Sequence, residues 1–291
     1  MAEFREDALT HGEAALSDVR LHYVELGEGP LVVLLHGFPE FWYSWRYQFG
    51  PLAEAGFRVV APDMRGYNLS EKPRGVAAYR TANLTRDVAE LIEHLGESSA
   101  VVGGHDWGAA VAWLFAQEYP QLLRKLVIMN VPHPLALRRG FWRRGQFLRS
   151  WYILLFQIPW LPEAISRLTQ FWFFRRAFRR DPVRATAFSE DDVARYLEAW
   201  RRPGALRSAI HYYRAAVRDL LVGRSPRPAV IEQPVLVLWG ERDAYLGPHL
   251  AEPPAEWVPN CTLHRIPDAS HWLQVDCPDV VNRQLLEFLG G

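Results

Sequence analysis

The feature that most constrains the fold of this 291-residue chain is a series of short aliphatic runs separated by helical segments. The run at residues 31–35 (LVVLL) has no polar alternation, as expected of a strand that is buried on both faces of a sheet. Because strands and helices alternate, we expect a mostly parallel sheet with helices on both faces. The predicted strands are 19–26, 31–35, 58–61, 100–102, 125–129, 234–239 and 261–266, and the predicted helices are 45–55, 81–95, 107–119 and 278–289.

The alternation stops between about residues 133 and 225, where the chain is helical, aromatic and rich in arginine. We interpret residues 133–225 as an inserted helical cap, and residues 1–132 and 226–291 as the core. The cap has 18 arginines, no lysine and 7 acidic residues, whereas the whole chain is formally neutral. Two interpretations of this charge stay open: a solvated face, or a surface that contacts an anionic membrane or partner.

Composition and local patterns exclude several classes of protein. The first 20 residues have no apolar segment of the kind found in signal peptides. The longest apolar run, 151–161, is shorter than the ~20 residues that span a bilayer. Cys261 and Cys277 lack the spacing of a metal site or a disulfide framework. We therefore expect a cytoplasmic protein, a monomer or a homodimer, without a metal, an organic cofactor or a nucleic-acid partner.

A tight turn follows the aliphatic run at 100–102. Gly104, Asp106 and Gly108 have the G-x-nucleophile-x-G spacing of a nucleophile elbow, in which side chains at the flanking positions would clash. Asp106 would then stand at the N-terminus of the next helix, where the helix dipole favours an anion. Asp is also a common N-cap residue, so Asp106 considered alone admits a purely structural role.

The nucleophile at this elbow is a carboxylate rather than a serine hydroxyl. A carboxylate is already ionised at neutral pH, and it suits displacement at a saturated carbon that carries an activated leaving group. The product is an ester of the enzyme, which water must then hydrolyse. The second step needs a histidine to activate that water and an oxyanion hole to stabilise the developing charge.

The remaining groups follow from the order of the strands. Pro39 ends the His-Gly-Phe-Pro stretch that starts at His36, and in this fold the loop after that strand supplies one oxyanion N–H, from Phe38. The residue after the nucleophile, Trp107, supplies the other. We expect His36 to orient the loop through hydrogen bonds and to take no part in the chemistry.

The acid and the base should follow the nucleophile along the chain. Asp243 lies at the carboxyl end of the strand predicted at 234–239, where ligands bind in open α/β sheets, and Glu241 is the alternative acid. His271 lies in the loop after the last strand, whereas His264 lies within that strand. Asp243 would hold the imidazole of His271, and His271 would deprotonate water.

Together these residues resemble the epoxide hydrolases of the α/β-hydrolase superfamily over almost the whole chain, from residue 19 to residue 289. The resemblance implies an α/β-hydrolase fold with an eight-stranded, mostly parallel sheet, and a small apolar epoxide and water as substrates. It also implies a cis peptide bond before Pro39 and two cap tyrosines, matched by Tyr152 and Tyr213, that act as an acid on the epoxide oxygen. Tyr212 we interpret as a packing residue. The stretches that carry the resemblance are 36–46, 63–70, 104–109, 239–243, 151–157 and 211–214.

Two alternatives remain. Haloalkane dehalogenases share the Asp and the following Trp, but they usually have Asn or Glu where this chain has Phe38, and fluoroacetate dehalogenases have Arg where it has Trp107. Some dehalogenases take the acid from the strand before the cap, where this chain has Asn130 and no carboxylate. A non-catalytic binding protein generally lacks a catalytic residue, and none is missing here.

Overall fold

A computed structural model describes residues 5–143, 145–224 and 228–290. Within these residues, eight strands form a single sheet in the order β1-β2-β4-β3-β5-β6-β7-β8. β2 pairs antiparallel with β1 and β4, and the other strand pairs are parallel, which confirms the predicted mostly parallel sheet. The strands are β1 Thr10–Ala15, β2 Arg20–Leu26, β3 Leu31–Leu35, β4 Arg58–Pro62, β5 Ala100–His105, β6 Leu123–Met129, β7 Val235–Gly240 and β8 Cys261–Ile266.

Among the described residues outside the stretch between β6 and β7, four α-helices accompany the sheet, and a fifth, short one precedes the last of them. They are α1 Phe49–Glu54, α2 Thr81–His94, α3 Trp107–Glu118 and, at the end of the chain, α12 Pro278–Gly290, preceded by the short α11 Leu273–Asp276. α2 packs against α3, and α1 packs against α12. All five residues of β3 are buried, as expected of a strand that helices cover on both faces.

Three local predictions need correction. β1 was not predicted, because this edge strand buries only Ala14 and therefore has no aliphatic run. β5 continues past Val102 to His105, since its two glycines still pair with β3 and β6. The predicted helix at 45–55 is wrong in its first part, where Trp42–Trp45 forms a 3₁₀ turn and the α-helix begins only at Phe49.

Between β6 and β7 the described residues contain helices and no strand. The helices are α4 Pro134–Gly140, α5 Gln146–Arg149, α6 Trp151–Gln157, α7 Leu161–Leu168, α8 Trp172–Arg180, α9 Glu190–Arg201 and α10 Ala205–Leu221. We call this stretch the helical insertion. The division at 132/133 and 225/226 stays a prediction, and Ser225 and Pro226 lie outside the described residues. No helix in the described ranges has both the length and the apolar character needed to cross a membrane.

The parallel strands direct their carboxyl ends to one edge of the sheet. Leu35, His105, Met129, Gly240 and Ile266 are the last residues of β3, β5, β6, β7 and β8. The loops that follow β3, β5, β7 and β8 contain the residues to which the sequence assigns catalytic roles. The fold thus gathers stretches that are more than 200 residues apart in the sequence at one edge.

Candidate active site

Asp106 occupies the turn between β5 and α3 and has a strained backbone. Its φ is 48° and its ψ is −122°, a conformation that residues with a side chain rarely adopt. A Cβ atom at Gly104 would overlap the backbone of Gly108, and one at Gly108 would overlap the carbonyl of Leu35. The two glycines therefore allow the strand and the helix to approach closely enough to present Asp106. The Asp106 side chain makes no capping hydrogen bond to its own helix.

The carboxylate of Asp106 lies among groups that favour its charged form. The backbone N–H of Phe38 donates a 2.7 Å hydrogen bond to Oδ1, and Nε2 of His271 lies 3.5 Å from Oδ2. Burial raises the pKa of Asp106, but His271, His105 and the Phe38 N–H outweigh burial, and the net pKa is lowered. Asp106 is therefore anionic at neutral pH although it is largely buried.

His271 bridges Asp106 and a second carboxylate. Its Nδ1 lies 2.7 Å from Oδ2 of Asp243, whose Oδ1 accepts hydrogen bonds from the backbone N–H groups of Tyr245 and Leu246 at 2.7 and 2.9 Å. Burial lowers the pKa of His271, but Asp243 and Asp106 raise it more, to about 10. The resting imidazole is therefore protonated at neutral pH, held between two carboxylates.

The alternative acid and base lie elsewhere. Glu241 is exposed, with Oε1 3.5 Å from Nη1 of Arg265, and His264 is half-buried within β8. Asn130 follows β6 and links two of the loops: its Nδ2 donates to the carbonyl of Ser270 at 2.9 Å, and its Oδ1 accepts from the N–H of Gly240 at 2.6 Å. Asn130 thus supports the loop that carries His271.

The loop after β3 is held by His36. Nε2 of His36 accepts a 2.9 Å hydrogen bond from the N–H of Met64, and Nδ1 donates at 2.9 Å to the carbonyl of Gly37. The peptide bond between Phe38 and Pro39 is cis. Both ring nitrogens of His36 are thus engaged with the backbone, and its imidazole is fully buried.

Two tyrosines from the helical insertion face the same cavity as Asp106. Tyr152 lies on α6 and Tyr213 on α10, with ring centroids 5.9 Å apart in an edge-on arrangement. The ring of Tyr213 also lies 5.0 Å from Trp107 and 5.3 Å from Phe38. Burial, together with the nearby Asp106, raises the pKa of Tyr152 well above its ordinary value, and burial likewise raises that of Tyr213. Both phenols therefore keep their protons at neutral pH.

Tyr212 points elsewhere. Its hydroxyl donates a 2.7 Å hydrogen bond to the backbone carbonyl of Arg65, and its side chain is fully buried. Tyr212 therefore joins α10 to the loop after β4, whereas its neighbour Tyr213 faces the cavity.

Arg214 joins the helices that carry the two tyrosines. Its guanidinium donates to the carbonyls of Phe156 and Ile158 at 2.8 Å each, at the end of α6. It also makes two hydrogen bonds, of 2.6 and 3.1 Å, to the buried carboxylate of Glu163 at the start of α7. A guanidinium has five N–H donors in a rigid plane, so it can bind several acceptors at once. Through these hydrogen bonds Arg214 fixes α6 against α10, and with it the position of Tyr152 relative to Tyr213.

Most of the cavity wall is aromatic, and sequence reasoning missed much of it. Tyr245 was missed, although it lies two residues after Asp243: its ring centroid is 5.1 Å from that of His271, and its hydroxyl donates to Asp181 at the end of α8. The cavity and the open solvent at its mouth together make up about 450 Å³ of space not occupied by atoms. Its lining residues are Phe38, Pro39, Asp106, Tyr152, Phe156, Phe173, Phe174, Ala177, Phe178, Tyr213, Tyr245, His271 and Trp272.

A second buried network below the site was also missed. His105, the residue before the nucleophile, lies with Nδ1 2.7 Å from Oε2 of Glu40 and Nε2 2.7 Å from the carbonyl of His271. Gln274 donates to Oε1 of Glu40 at 3.1 Å. The Pro-Glu pair at 39–40 and the His-Asp pair at 105–106 were the available signals in the sequence.

Within residues 5–143, 145–224 and 228–290, no group of His, Cys, Asp and Glu side chains is arranged to hold a metal ion. The polar groups at the cavity are the carboxylate of Asp106, the imidazole of His271, phenol hydroxyls and the backbone N–H of Phe38, and Asp243 is hydrogen-bonded to His271 behind the wall. Such a set suits nucleophilic attack by Asp106, proton donation by tyrosine and proton transfer through His271.

Comparisons with known proteins show the family to which the chain is similar. The sequence profile of the α/β-hydrolase fold family matches residues 30–278. The AB hydrolase superfamily protein YfhM of Bacillus subtilis is 42% identical over 274 residues, which cover 93% of this chain and 94% of that protein. Human epoxide hydrolase 4 is 37% identical over 309 residues, covering 98% of this chain and 84% of that protein.

Solved structures give the same result. A mutant of an epoxide hydrolase from Bacillus megaterium superimposes with a TM-score of 0.89 and 34% sequence identity, covering 96% of this chain and 100% of that chain.

Proposed function

Since this chain belongs to the epoxide hydrolases of the α/β-hydrolase family, we propose that it converts a small apolar epoxide into a vicinal diol through a covalent ester on Asp106. One observation carries the proposal: the anionic Asp106 and the protonated Tyr152 and Tyr213 line the same cavity, with Asp106 from the core and both phenols from the insertion. A nucleophile and an acid that face each other across a substrate are what ring opening requires.

In the first step, Oδ2 of Asp106 attacks one epoxide carbon, and the bond from that carbon to the ring oxygen breaks. The oxygen would leave as an alkoxide, so it takes a proton or a hydrogen bond from Tyr152 and Tyr213. Two features support this role: both phenols stay protonated at neutral pH, and their rings are in edge-on contact. The intermediate is a hydroxyalkyl ester of Asp106.

In the second step, His271 removes a proton from water, and the hydroxide attacks the ester carbonyl carbon. The Phe38 and Trp107 N–H groups stabilise the oxyanion; for Phe38 the role is supported by its 2.7 Å hydrogen bond to Oδ1. The acyl–oxygen bond then breaks, and the diol oxygen recovers a proton from His271. The proton left on Asp106 returns to tyrosinate through solvent, so the sum is addition of one water.

Ester formation itself would switch His271 into a base. In the resting site two carboxylates hold its pKa at about 10, so it carries a proton. Alkylation neutralises Asp106 and removes one of those two charges. The pKa of His271 then falls, its proton passes to solvent, and a neutral imidazole oriented by Asp243 remains to activate water. His271 takes up a proton from solvent again once hydrolysis restores the Asp106 carboxylate.

We propose that residues 133–225 act as a cap that closes the cavity and selects the substrate. The proposal is supported by the contribution of α6, α8 and α10 to the wall, which is mostly phenyl and phenol rings. An apolar wall with few polar groups favours an epoxide with hydrocarbon substituents. Water, the second substrate, must reach the space between His271 and Asp106.

A single-turnover reaction in heavy-oxygen water tests the mechanism. With enzyme in excess over an epoxide such as styrene oxide, the label should enter the Asp106 carboxylate, because water attacks the ester carbonyl, and a peptide mass spectrum would locate it. The diol should become labelled only in later turnovers. Label found in the diol after one turnover, with none in Asp106, would exclude the covalent ester.

A parallel assay separates the dehalogenase alternative. Alkylation of Asp106 by 1-chlorobutane requires a halide site and no proton donor. We expect turnover of epoxides and little or none of the chloroalkane. Faster turnover of the chloroalkane would reassign the substrate class and leave the role of Asp106 intact.

We also propose a cytoplasmic location, in a reducing environment. The proposal is supported by the two cysteines, which are unpaired. Burial raises the pKa of Cys261 to about 11 and that of Cys277 to about 12, so both remain thiols.

A further inference from the structure

The helical insertion directs apolar side chains outward as well as toward the cavity. On α7, Leu161, Ile165 and Leu168 follow one another at the spacing of a single helix face, and all three are exposed, Leu168 by 84%. On α6, which packs against α7, the exposed apolar residues are Trp151 and Leu154. A helix normally turns such a stripe toward the core, so these two helices present a second apolar face to the outside. We call the exposed apolar residues of 142–173 the outer face.

Four of the twelve tryptophans of the chain lie on this outer face and are more than half exposed. Trp142 and Trp160 are 77% and 79% exposed. The backbone of Trp160 has a φ of 59°, a conformation that favours glycine. Tryptophan prefers the boundary between lipid and water, where its apolar ring and its N–H are both satisfied. The set is Trp142, Trp151, Trp160 and Trp172.

The segment that carries the outer face is predominantly basic, although Arg139 and Arg179 pair with exposed carboxylates outside it, those of Glu256 and Glu190. Residues 134–180 include ten arginines and a single acidic residue, Glu163, whose carboxylate is buried against Arg214. Arg167, Arg176 and Arg180 are exposed on α7 and α8, and the guanidinium of Arg176 lies 5.5 Å from the ring centroid of Trp172. Interleaved arginine and tryptophan side chains are typical of helices that lie in the plane of a membrane surface.

A basic groove lies beside Trp160. Arg207 and Arg218 of α10 and Arg74 of the core line it, together with the ring of Trp160. All three arginines are exposed, and none forms an ion pair with a carboxylate in the described part of the chain. The one carboxylate of the groove, Glu163, is occupied by Arg214. The groove therefore combines unpaired positive charge with an adjoining apolar surface, which is the arrangement that a phosphate headgroup next to acyl chains requires.

A second copy of this chain fits the outer face less well. A twofold interface would set the same arginine-rich surface against itself, and the segment has no exposed carboxylate with which to pair those charges. An anionic lipid surface supplies both the apolar interior and the negative charge. Charge complementarity therefore favours lipid over self-association.

We propose that the outer face docks on an anionic phospholipid membrane, with the arginines of the groove beside Trp160 contacting lipid phosphates. The docked face adjoins the cavity, because Phe173 both lines the cavity and is exposed, and its ring lies 6.4 Å from that of Trp151. An apolar epoxide dissolved in the bilayer would then meet the cavity wall directly. Only this last consequence rests on the proposed function; docking does not.

Vesicle flotation tests the docking. The full chain is mixed with phosphatidylcholine vesicles that contain or lack phosphatidylglycerol, and bound protein and tryptophan emission are measured. We expect binding and a blue shift with phosphatidylglycerol, binding at least about tenfold weaker without it, and release by high salt. Inorganic phosphate at the same total phosphate concentration should not compete, because it lacks the apolar part.

Paired variants separate the two contributions. Trp160→Ser with Leu168→Ser, and separately Arg207→Gln with Arg218→Gln at the groove, should each weaken binding at least about tenfold. The matched controls on the core are Leu69→Ser with Val230→Ser, and Arg124→Gln with Arg283→Gln, all at exposed positions; they should bind as the parent does. Unchanged circular dichroism and epoxide turnover in solution would show that each variant is folded.

Several results would overturn the proposal. These are equal binding to neutral vesicles, no binding to either kind, or loss of binding in the controls to the same extent as in the outer-face variants. Light scattering would detect another such result. If the parent is a dimer that does not bind vesicles, and the variant Trp160→Ser with Leu168→Ser is a monomer, the outer face is an interface with a second copy of the chain.

Discussion

The core and the helical insertion contribute opposite kinds of chemistry to one cavity. The core supplies the charged Asp106 and His271, with Asp243 hydrogen-bonded to His271, from loops that follow parallel strands. The insertion supplies neutral donors, Tyr152 and Tyr213, from helices. The core groups are coupled by hydrogen bonds and charge, whereas the phenols meet each other and aromatic rings.

The two regions therefore determine two different properties of the reaction. The ionised core groups determine that an ester forms and is hydrolysed, and a dehalogenase needs the same groups. The phenols determine that the leaving group is an oxygen that needs a proton. The insertion should therefore change with the substrate class while the core keeps its chemistry, and variants in the two regions should affect different steps.

The largest effect is expected from removing the core nucleophile. Asp106→Ala leaves no group to form the ester, so epoxide turnover should fall by at least about 10⁴-fold and no alkylated enzyme should form. Steady-state diol formation and intact-protein mass would measure both. The exposed carboxylate Asp268, three residues before His271, provides the control, and Asp268→Asn should retain activity. Appreciable turnover by Asp106→Ala would contradict the assignment.

Removal of the core base should stop the reaction halfway. In His271→Gln, Tyr152 and Tyr213 remain, so Asp106 should still be alkylated, but the ester should persist because no group activates water. We expect turnover to fall by about 10³- to 10⁴-fold, with one equivalent of adduct on the peptide that contains Asp106. His264→Gln, in β8, should behave as the parent. An unmodified, inactive His271→Gln enzyme would argue that His271 is needed for the first step.

Removal of the donors in the insertion should affect only the first step. The double variant Tyr152→Phe, Tyr213→Phe loses the acid, and alkylation by an epoxide should slow by about 10²- to 10³-fold, while ester hydrolysis keeps its rate. Rapid-quench single turnovers separate the two rates. Tyr212→Phe is the matched control, since that hydroxyl binds the Arg65 carbonyl outside the cavity. If Tyr212→Phe slows alkylation to the same extent, Tyr152 and Tyr213 have a packing role and not an acid role.

The two steps should also differ in their dependence on pH. The pKa of Asp106 lies below 3.8, the ordinary pKa of an Asp side chain. The rate of alkylation should therefore stay constant as the pH falls from 7 toward 3.8. Ester hydrolysis needs neutral His271 and should slow by about tenfold per pH unit below the pKa that His271 has in the intermediate. Ester should therefore accumulate at acidic pH. Parallel loss of both rates on acidification would contradict the proposed switch of His271.

The smallest of these effects concerns stability, and it contrasts an ion pair in each region. Arg214 and Glu163 are buried in the insertion, so Arg214→Met should lower the free energy of unfolding by about 3 kcal/mol, and Glu163→Gln added to it should restore part. Arg58 and Glu25 form a part-exposed pair in the core, and Arg58→Met should cost about 1 kcal/mol or less. Urea unfolding measures both losses of unfolding free energy. Equal losses in Arg214→Met and Arg58→Met would contradict the expected difference between the buried and the part-exposed ion pair.

Much of the fold and of the site could be predicted because these features depend on residues that are close together in the sequence. Only glycine fits at positions 104 and 108, so the elbow is visible in the sequence, and the run at 31–35 is aliphatic because β3 is buried on both faces. The edge strand β1 escaped prediction because it buries one residue. Tyr245 and the Glu40–His105 pair escaped because their partners, Asp181 and the carbonyl of His271, are distant in sequence.

The sequence by itself determined the alternation of strands and helices, the carboxylate at the elbow, and the arginine excess of the insertion. Each depends on residue type and spacing alone. The tertiary structure decided which groups meet: the imidazole of His271 between two carboxylates, Tyr213 in the cavity with Tyr212 outside it, and an apolar face turned outward on α7. The physical reason is that a pKa, a hydrogen bond and an exposed surface depend on neighbours in space, and those neighbours come from other elements.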